Sequence, residues 1–269
     1  MKTGLFLPDQ YYAISDDAKA AYRDNGHILL RGVLTPAEAG ESREYISRAA
    51  ARYNTETRKM EDRDTYGKAF LQIMNLWRRD PDVARFTLAK RFAGIAADLM
   101  GVDRVRIYHD QALYKEPSGG PTPWHQDQYY WPVDTDRTVT MWMPLVDISE
   151  EMGMLTFASG SHELGFLGNM AISDESEEVL SRIVQERGYP VTRATTMRAG
   201  DATFHAGWTL HAAPGNSSDR LREVMTVIYV ADGARVTTPV NTHQEADRQT
   251  WLMGLEPGQW IDSDLNPLV

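Results

Sequence analysis

Apolar and polar positions change rhythm once along the chain, near Gly101. Before that point the spacing is helical. Asp16 to Asn25 is predicted as a helix that stops at Gly26, a residue free to take the left-handed conformation that ends helices, and the apolar run His27 to Arg31 follows as a strand. Thr35-Pro36-Ala37-Glu38 combines an N-cap, a proline at the first helical position and a Glu able to reach back to the cap. Ile46, Ala49, Ala50 and Tyr53 then share one face. A third helix is predicted from Asp80-Pro81 through Val83, Phe86, Leu88, Phe92, Ile95 and Leu99 to Gly101.

After Gly101, short β-type runs are separated by turn residues, the signature of a sandwich or barrel and not of alternating βαβ units. The expected strands are Arg104–Tyr114, Thr138–Leu145, Met154–Ala158, Ala202–His205, Thr209–His211 and Glu223–Val230. One helix interrupts them, capped by Ser173 or Ser176, with Val179, Leu180, Ile183 and Val184 on one face and Gly188 at its end. No tandem repeat or Pro/Ser linker divides the chain, so one domain is expected over 1–269: a helical layer over about 1–100, a β core over about 101–235, and a C-terminal tail.

Composition removes several classes. Hydrophobic residues make up 42% and charged ones 25%, an ordinary globular balance, and no apolar run approaches the ~18 residues of a membrane span. The net charge of −10, with no basic block, argues against nucleic acid and for a small-molecule partner. With no cysteine, a metal must be held by His, Asp or Glu, and the chain fits a reducing, cytoplasmic setting. The first residues, MKTGLFLPDQYY, are interrupted at Pro8 and are too short for a signal-peptide core. Asn216-Ser217-Ser218 is read as a chance sequon. G-x-S-x-G, G-x-x-x-x-G-K, G-x-G-x-x-G and H-E-x-x-H are absent, which disfavours serine hydrolases, P-loop and Rossmann enzymes and zinc hydrolases.

The candidate chemistry starts from Trp124-His125-Gln126-Asp127, one of few places where the seven histidines have partners in sequence. In extended chain, residues two apart point to the same side, so His125 and Asp127 converge. Alone, H-x-D is weak, since a His hydrogen-bonded to a neighbouring Asp is the commoner origin of such a tripeptide. His211 lies 84 residues beyond Asp127, after Gly200-Asp201-Ala202-Thr203-Phe204-His205, and Arg222 follows it by eleven. Two neutral imidazoles and one carboxylate occupy one face of an octahedral Fe(II) and leave the other for a bidentate co-substrate and dioxygen. A guanidinium fork at Arg222 suits the far carboxylate of 2-oxoglutarate.

On these residues the sequence resembles the phytanoyl-CoA dioxygenase family of iron(II)- and 2-oxoglutarate-dependent oxygenases. The likeness rests on Pro123-Trp124-His125-Gln126-Asp127, Gly153-Met154-Leu155, Ser159-Gly160-Ser161-His162, Gly200-Asp201, and His211 followed by Asn216, Ser217, Arg220 and Arg222. It implies a double-stranded β-helix of the jelly-roll, cupin-like kind. It also implies Fe(II) at His125, Asp127 and His211, and 2-oxoglutarate anchored by Arg222, with Arg220 as local competitor. Dioxygen is the other co-substrate. Related halogenases replace the carboxylate with a small residue, so Asp127 argues for oxygenation. Hydroxylation of a C–H bond in a small, apolar or polycyclic metabolite is the default outcome; epimerisation, ring closure or desaturation in natural-product biosynthesis is the alternative.

Other positions stay open. His205 is the rival third ligand, and His162 is assigned to a structural turn. His27, His109 and His243 show no partner pattern. Trp142 is either core or a wall of the co-substrate site, and Gln111 is expected to hydrogen-bond 2-oxoglutarate or substrate. Tyr129-Tyr130-Trp131 is balanced between core and substrate wall, and Pro117 to Pro123 between lid edge and plain connection. A cupin-like protein that binds metal or ligand without redox chemistry is the reading from another class; Arg222 weighs against it, because a structural site needs no carboxylate clamp.

Overall fold

A computed structural model describes residues 9–269; residues 1–8, most of the opening stretch MKTGLFLPDQYY, lie outside them. The helices are α1 (Asp16–Asn25), α2 (Pro36–Tyr53), α3 (Thr65–Ala69), α4 (Pro81–Thr87), α5 (Lys90–Met100), α6 (Asp174–Arg187) and α7 (Thr242–Thr250). The strands are β1 (His27–Leu30), β2 (Leu71–Met74), β3 (Val105–Lys115), β4 (Thr122–His125), β5 (Thr138–Pro144) and β6 (Ile148–Ser149). They continue with β7 (Thr156–Ala158), β8 (Val191–Arg193), β9 (Thr196–Met197), β10 (Ala202–Ala206), β11 (His211–Ala213) and β12 (Arg222–Ala231).

Local chemistry sets the well-predicted ends. Gly26 closes α1 at φ 76°, and Thr35 and Glu38 form a capping box at the start of α2. Ser173, not Ser176, caps α6, and Gly188 ends it in the left-handed region. The expected third helix is instead two, α4 and α5. Leu88 and the extended Ala89 interrupt it although the apolar spacing continues across the break. The cause is a distant carboxylate: buried Asp110 accepts from the Thr87 hydroxyl at 2.7 Å and from the Leu76 and Trp77 N–H groups at 2.8 and 3.1 Å. The strand expected at Thr209–His211 lies at His211–Ala213, the extended stretch expected around His125 is β4, and β2, β6, β8 and β9 were not anticipated. These are short, and β8 is exposed along its length, so no clear alternation marks it.

Two antiparallel sheets carry the core. The larger runs β1-β10-β5-β12-β3-β2 and the smaller β4-β11-β7-β8. Along β5, Thr140 and Trp142 point between the sheets, while Val139, Met141 and Met143 point to the helices, which is why the whole strand is buried. Between the sheets, Leu113, Trp142 and Val224 meet Phe157 and Ala213. On the other face, Ile46, Phe86, Phe92 and Ile95 of the helices cover Ile107, Met141, Phe204 and Val227. Each such side chain contributes ~1.5–3 kcal/mol on burial. The result is a double-stranded β-helix with a helical layer on the large sheet. Among the described residues, no helix is long and apolar enough to cross a membrane.

Asp110→Ala is expected to lower stability by roughly 3–9 kcal/mol, because two buried N–H groups and a hydroxyl lose their acceptor at ~1–3 kcal/mol each. Urea denaturation checks it, and an unchanged midpoint would show that water replaces the carboxylate.

Candidate metal centre and active site

His125 is the last residue of β4, and the chain stays extended through Gln126 (φ −120°, ψ 126°). Asp127 therefore points to the same side, although it opens the 3-10 turn Asp127–Tyr130 and does not continue the strand as expected. His211 begins β11 directly opposite His125. Backbone pairing thus brings together residues far apart in sequence, with the two rings 4.0 Å apart between centres. One ligand atom from each of His125, Asp127 and His211 lies within 4.8 Å of the others, a group able to hold a metal ion.

The nitrogen facing the centre is settled by the other one. Nδ1 of His125 lies 2.7 Å from the Pro123 carbonyl and Nδ1 of His211 3.0 Å from that of Thr209. A carbonyl only accepts, so both Nδ1 atoms carry protons and both Nε2 lone pairs face inward, 3.5 and 3.6 Å from Asp127 Oδ1. Burial, then the nearby His125, pushes His211 well below the usual imidazole range, which keeps it neutral and ready to ligate. Burial alone would raise Asp127, but His211, His125 and His205 outweigh it and hold the carboxyl well below its ordinary value.

His205, the rival ligand, has a different place. Its Nε2 is 3.1 Å from Asp127 Oδ2, the oxygen turned away from the other two histidines, and the Thr140 hydroxyl donates to that same oxygen at 2.8 Å. Together they fix the carboxylate so that Oδ1 alone points at the centre.

Deeper between the sheets, Arg222 is almost fully buried. One of its terminal nitrogens donates to the Gly153 carbonyl, its Nε has no partner, and its guanidinium lies 5.3 Å over the ring of Trp142. Arg220 is exposed and reaches toward the Asp147 carbonyl. Lys115, directly opposite Arg222 across the β3–β12 ladder, was missed by sequence reasoning. It is fully buried, donates to the Gly120 carbonyl, and has Thr122 Oγ1 at 3.5 Å. Neither cation has a carboxylate partner among the described residues. Burial, then the Arg222 charge, pulls Lys115 down to about 6, and burial pulls Arg222 down to about 9. Its only sequence signal is strand alternation from Gln111, which puts 111, 113 and 115 on one face.

A cavity of about 210 Å³ opens on the metal side, lined by Tyr66, Gln72, His109, Gln111, Tyr130, Trp131, Asp247 and Trp251 as well as His125 and Asp127. Gln111 is here, accepting from Gln72 at 2.6 Å, whereas Trp142 is not part of this lining. Tyr130 and Trp131 are walls, whereas buried Tyr129 packs on Phe166 and His243. His109, driven down to about 3 by burial, is also a wall. His162 donates to the Arg23 carbonyl from its turn, and Asn216 is buried with its amide on the Lys115 and Arg220 carbonyls, a structural role. Gly119 and Gly120 of the Pro117–Pro123 loop are tied to Glu116 and Lys68. A larger groove of about 700 Å³ lies against α2, away from the histidines.

A family model described as phytanoyl-CoA dioxygenase matches residues 22–224. The chain is similar to a probable alpha-ketoglutarate-dependent hypophosphite dioxygenase of Stutzerimonas stutzeri, 27% identical over 135 residues. That match spans 49% of this chain and about half, 47%, of the relative. Among solved structures, the carbocyclase SnoK from nogalamycin biosynthesis is 26% identical with a TM-score of 0.78, covering 95% of this chain and 96% of that one. The epimerase SnoN, in complex with Fe3+, alpha ketoglutarate and nogalamycin RO, is 27% identical with a TM-score of 0.76, covering 94% and 97%.

His205→Ala is expected to weaken Mn(II) or Fe(II) binding by about 10–100-fold, the usual effect of removing a group that orients a ligand. His205→Gln, which keeps a donor, should recover part of it in the same metal titration; equal affinity in all three proteins would remove His205 from the centre.

Proposed function

The chain belongs to the phytanoyl-CoA dioxygenase family and is an iron(II)- and 2-oxoglutarate-dependent dioxygenase, and from that premise we propose which residues do the work and on what. His125, Asp127 and His211 hold the iron, and Arg222 with Lys115 holds the distal carboxylate of 2-oxoglutarate. The observation that carries this is a buried guanidinium and a buried amine, directly opposed across a strand ladder and without a carboxylate partner among the described residues, together with two inward Nε2 atoms and one pinned carboxylate oxygen. Isolated buried charges are costly, and a dianion between them and the iron relieves that cost. The guanidinium gives direction, and the ammonium adds charge.

When bound, iron(II) with 2-oxoglutarate and dioxygen supplies the oxidant that removes hydrogen from a substrate carbon, leaving succinate and carbon dioxide. The protein's residues do the remainder. Trp142, buried with its ring 5.3 Å from the Arg222 guanidinium, shields the clamp from water. Tyr130, Trp131 and Trp251 offer aromatic walls, and Gln72 and Gln111 offer amides to substrate polar groups. No Lys or Arg lines this cavity, so the substrate is a small cyclic metabolite without phosphate or CoA groups. Hydroxylation is the default product. Ring closure or epimerisation is the second reading, favoured by the likeness to SnoK and SnoN over nearly the whole chain.

With Fe(II), the protein is expected to consume 2-oxoglutarate and release succinate slowly even without substrate, and His125→Ala, Asp127→Ala or His211→Ala should abolish it; full turnover in Asp127→Ala would refute the ligand set. With a substrate found by screening for faster succinate release, product mass separates the outcomes: one oxygen gained for hydroxylation, two hydrogens lost for ring closure, no change for epimerisation. Arg222→Ala should weaken 2-oxoglutarate binding by ~2–5 kcal/mol, read by calorimetry on the Mn(II) protein. Lys115 loses its proton above about 6 in the free protein, so binding the dianion must take a proton up. Affinity should therefore fall as pH rises above 6 and level off once the bound form also deprotonates; in Lys115→Met that slope should flatten.

A further inference from the structure

The wall of the cavity opposite the metal holds a carboxylate that the iron and co-substrate leave unused. Asp247 sits on α7, and its Oδ2 accepts from the Tyr108 hydroxyl at 3.0 Å. The ladder between β3 and β12 slips at this point, with Ile228 opposite His109 but Tyr229 opposite Ile107. Tyr108 is the extra residue of a β-bulge, a device that re-aims side chains beside active sites. It sends the Tyr108 hydroxyl toward α7 while His109 stays in the cavity wall.

No cation pairs with Asp247 among the described residues, and burial pushes its carboxyl up to about 7. A fold that needed only an acceptor for Tyr108 would be served as well by a neutral amide, without the cost of desolvating a charge. Nor is Asp247 needed to hold α7, which is capped by Asn241 and fastened by Gln244 donating to the Tyr129 carbonyl. Around Asp247 stand Tyr66, Tyr130, Trp131 and Trp251, whose ring faces attract cations.

We propose that Asp247 and this aromatic wall bind a cationic nitrogen, so that the substrate is an amine whose ammonium docks on α7 and whose reacting carbon is thereby turned toward the metal. The inference rests on the cavity being the substrate site of the dioxygenase. It gives the site polarity: oxidant at one end, ammonium at the other. Orientation then follows from one charged contact instead of from shape alone.

The test uses the full chain loaded with Mn(II) and 2-oxoglutarate, and two probes of one shape: choline and its neutral carbon isostere, in which a tert-butyl group replaces trimethylammonium. Quenching of tryptophan fluorescence reads binding, since Trp131 and Trp251 line the cavity. Choline should bind at least about tenfold tighter, the preference expected from one charged contact with aromatic support. Asp247→Asn, which retains an acceptor for Tyr108, should weaken choline binding without changing that of the isostere, cutting the preference to the few-fold that the ring faces give alone. Tyr108→Phe removes the same hydrogen bond but not the charge, and should keep the preference; if it behaves like Asp247→Asn, the carboxylate is only an anchor for Tyr108 and the proposal fails. Equal binding of the two probes by the unaltered protein, no choline binding, or a preference undiminished in Asp247→Asn each overturns it. Failure of the dioxygenase reading would show separately, as absent 2-oxoglutarate binding and no succinate release, with the probe comparison still measurable.

Discussion

Asp127 joins the two sheets through the two oxygens of one carboxylate. Oδ1 faces the Nε2 atoms of His125 and His211, both on the small sheet, while Oδ2 is held by Thr140 and His205, both on the large one. A carboxylate with only one oxygen restrained would rotate and present its lone pairs in several directions. Here the large sheet consumes one oxygen so that the other is delivered to the small sheet at a set angle. The spacing of the sheets, set by Leu113, Trp142, Val224 and Phe157 between them, thereby becomes the spacing of the ligands.

The same gap between the sheets explains why two cations can be left without partners. Arg222 and Lys115 occupy directly opposed positions on β12 and β3, and a ladder of backbone hydrogen bonds keeps them side by side at a cost the apolar core has to offset. Such an arrangement is poor for stability and good for taking up a dianion. Catalytic scaffolds concentrate strain of this kind where a ligand will later relieve it.

The cavity is assembled differently. Its walls come from α3 and β2, from β3, from the turn after β4, from the loop before α6 and from α7, and the bulge at Tyr108 is the local irregularity that connects β3 to α7. The proposed ligands His125 and His211 depend on regular pairing within a sheet; the walls depend on how loops and the last helix pack over it. Variation in substrate is therefore expected in the second set, on elements that change without disturbing the first.

Much of the metal end was legible because it is local. Alternation in extended chain aligned His125 with Asp127 even though the second residue left the strand, and caps at Thr35 and Gly26 marked helix ends through hydrogen bonds made within a few residues. His211 and Arg222 were placed by spacing and family likeness, but only strand pairing sets His211 against His125 and decides that Arg222 is buried while Arg220 is exposed. The break between α4 and α5, the partner of Lys115 and the meeting of Asp247 with Tyr108 left no trace in periodicity. Each depends on residues 23 to 139 positions apart, or on a cross-strand register, and one-dimensional spacing carries no information about which distant carboxylate, cation or hydroxyl a side chain will meet.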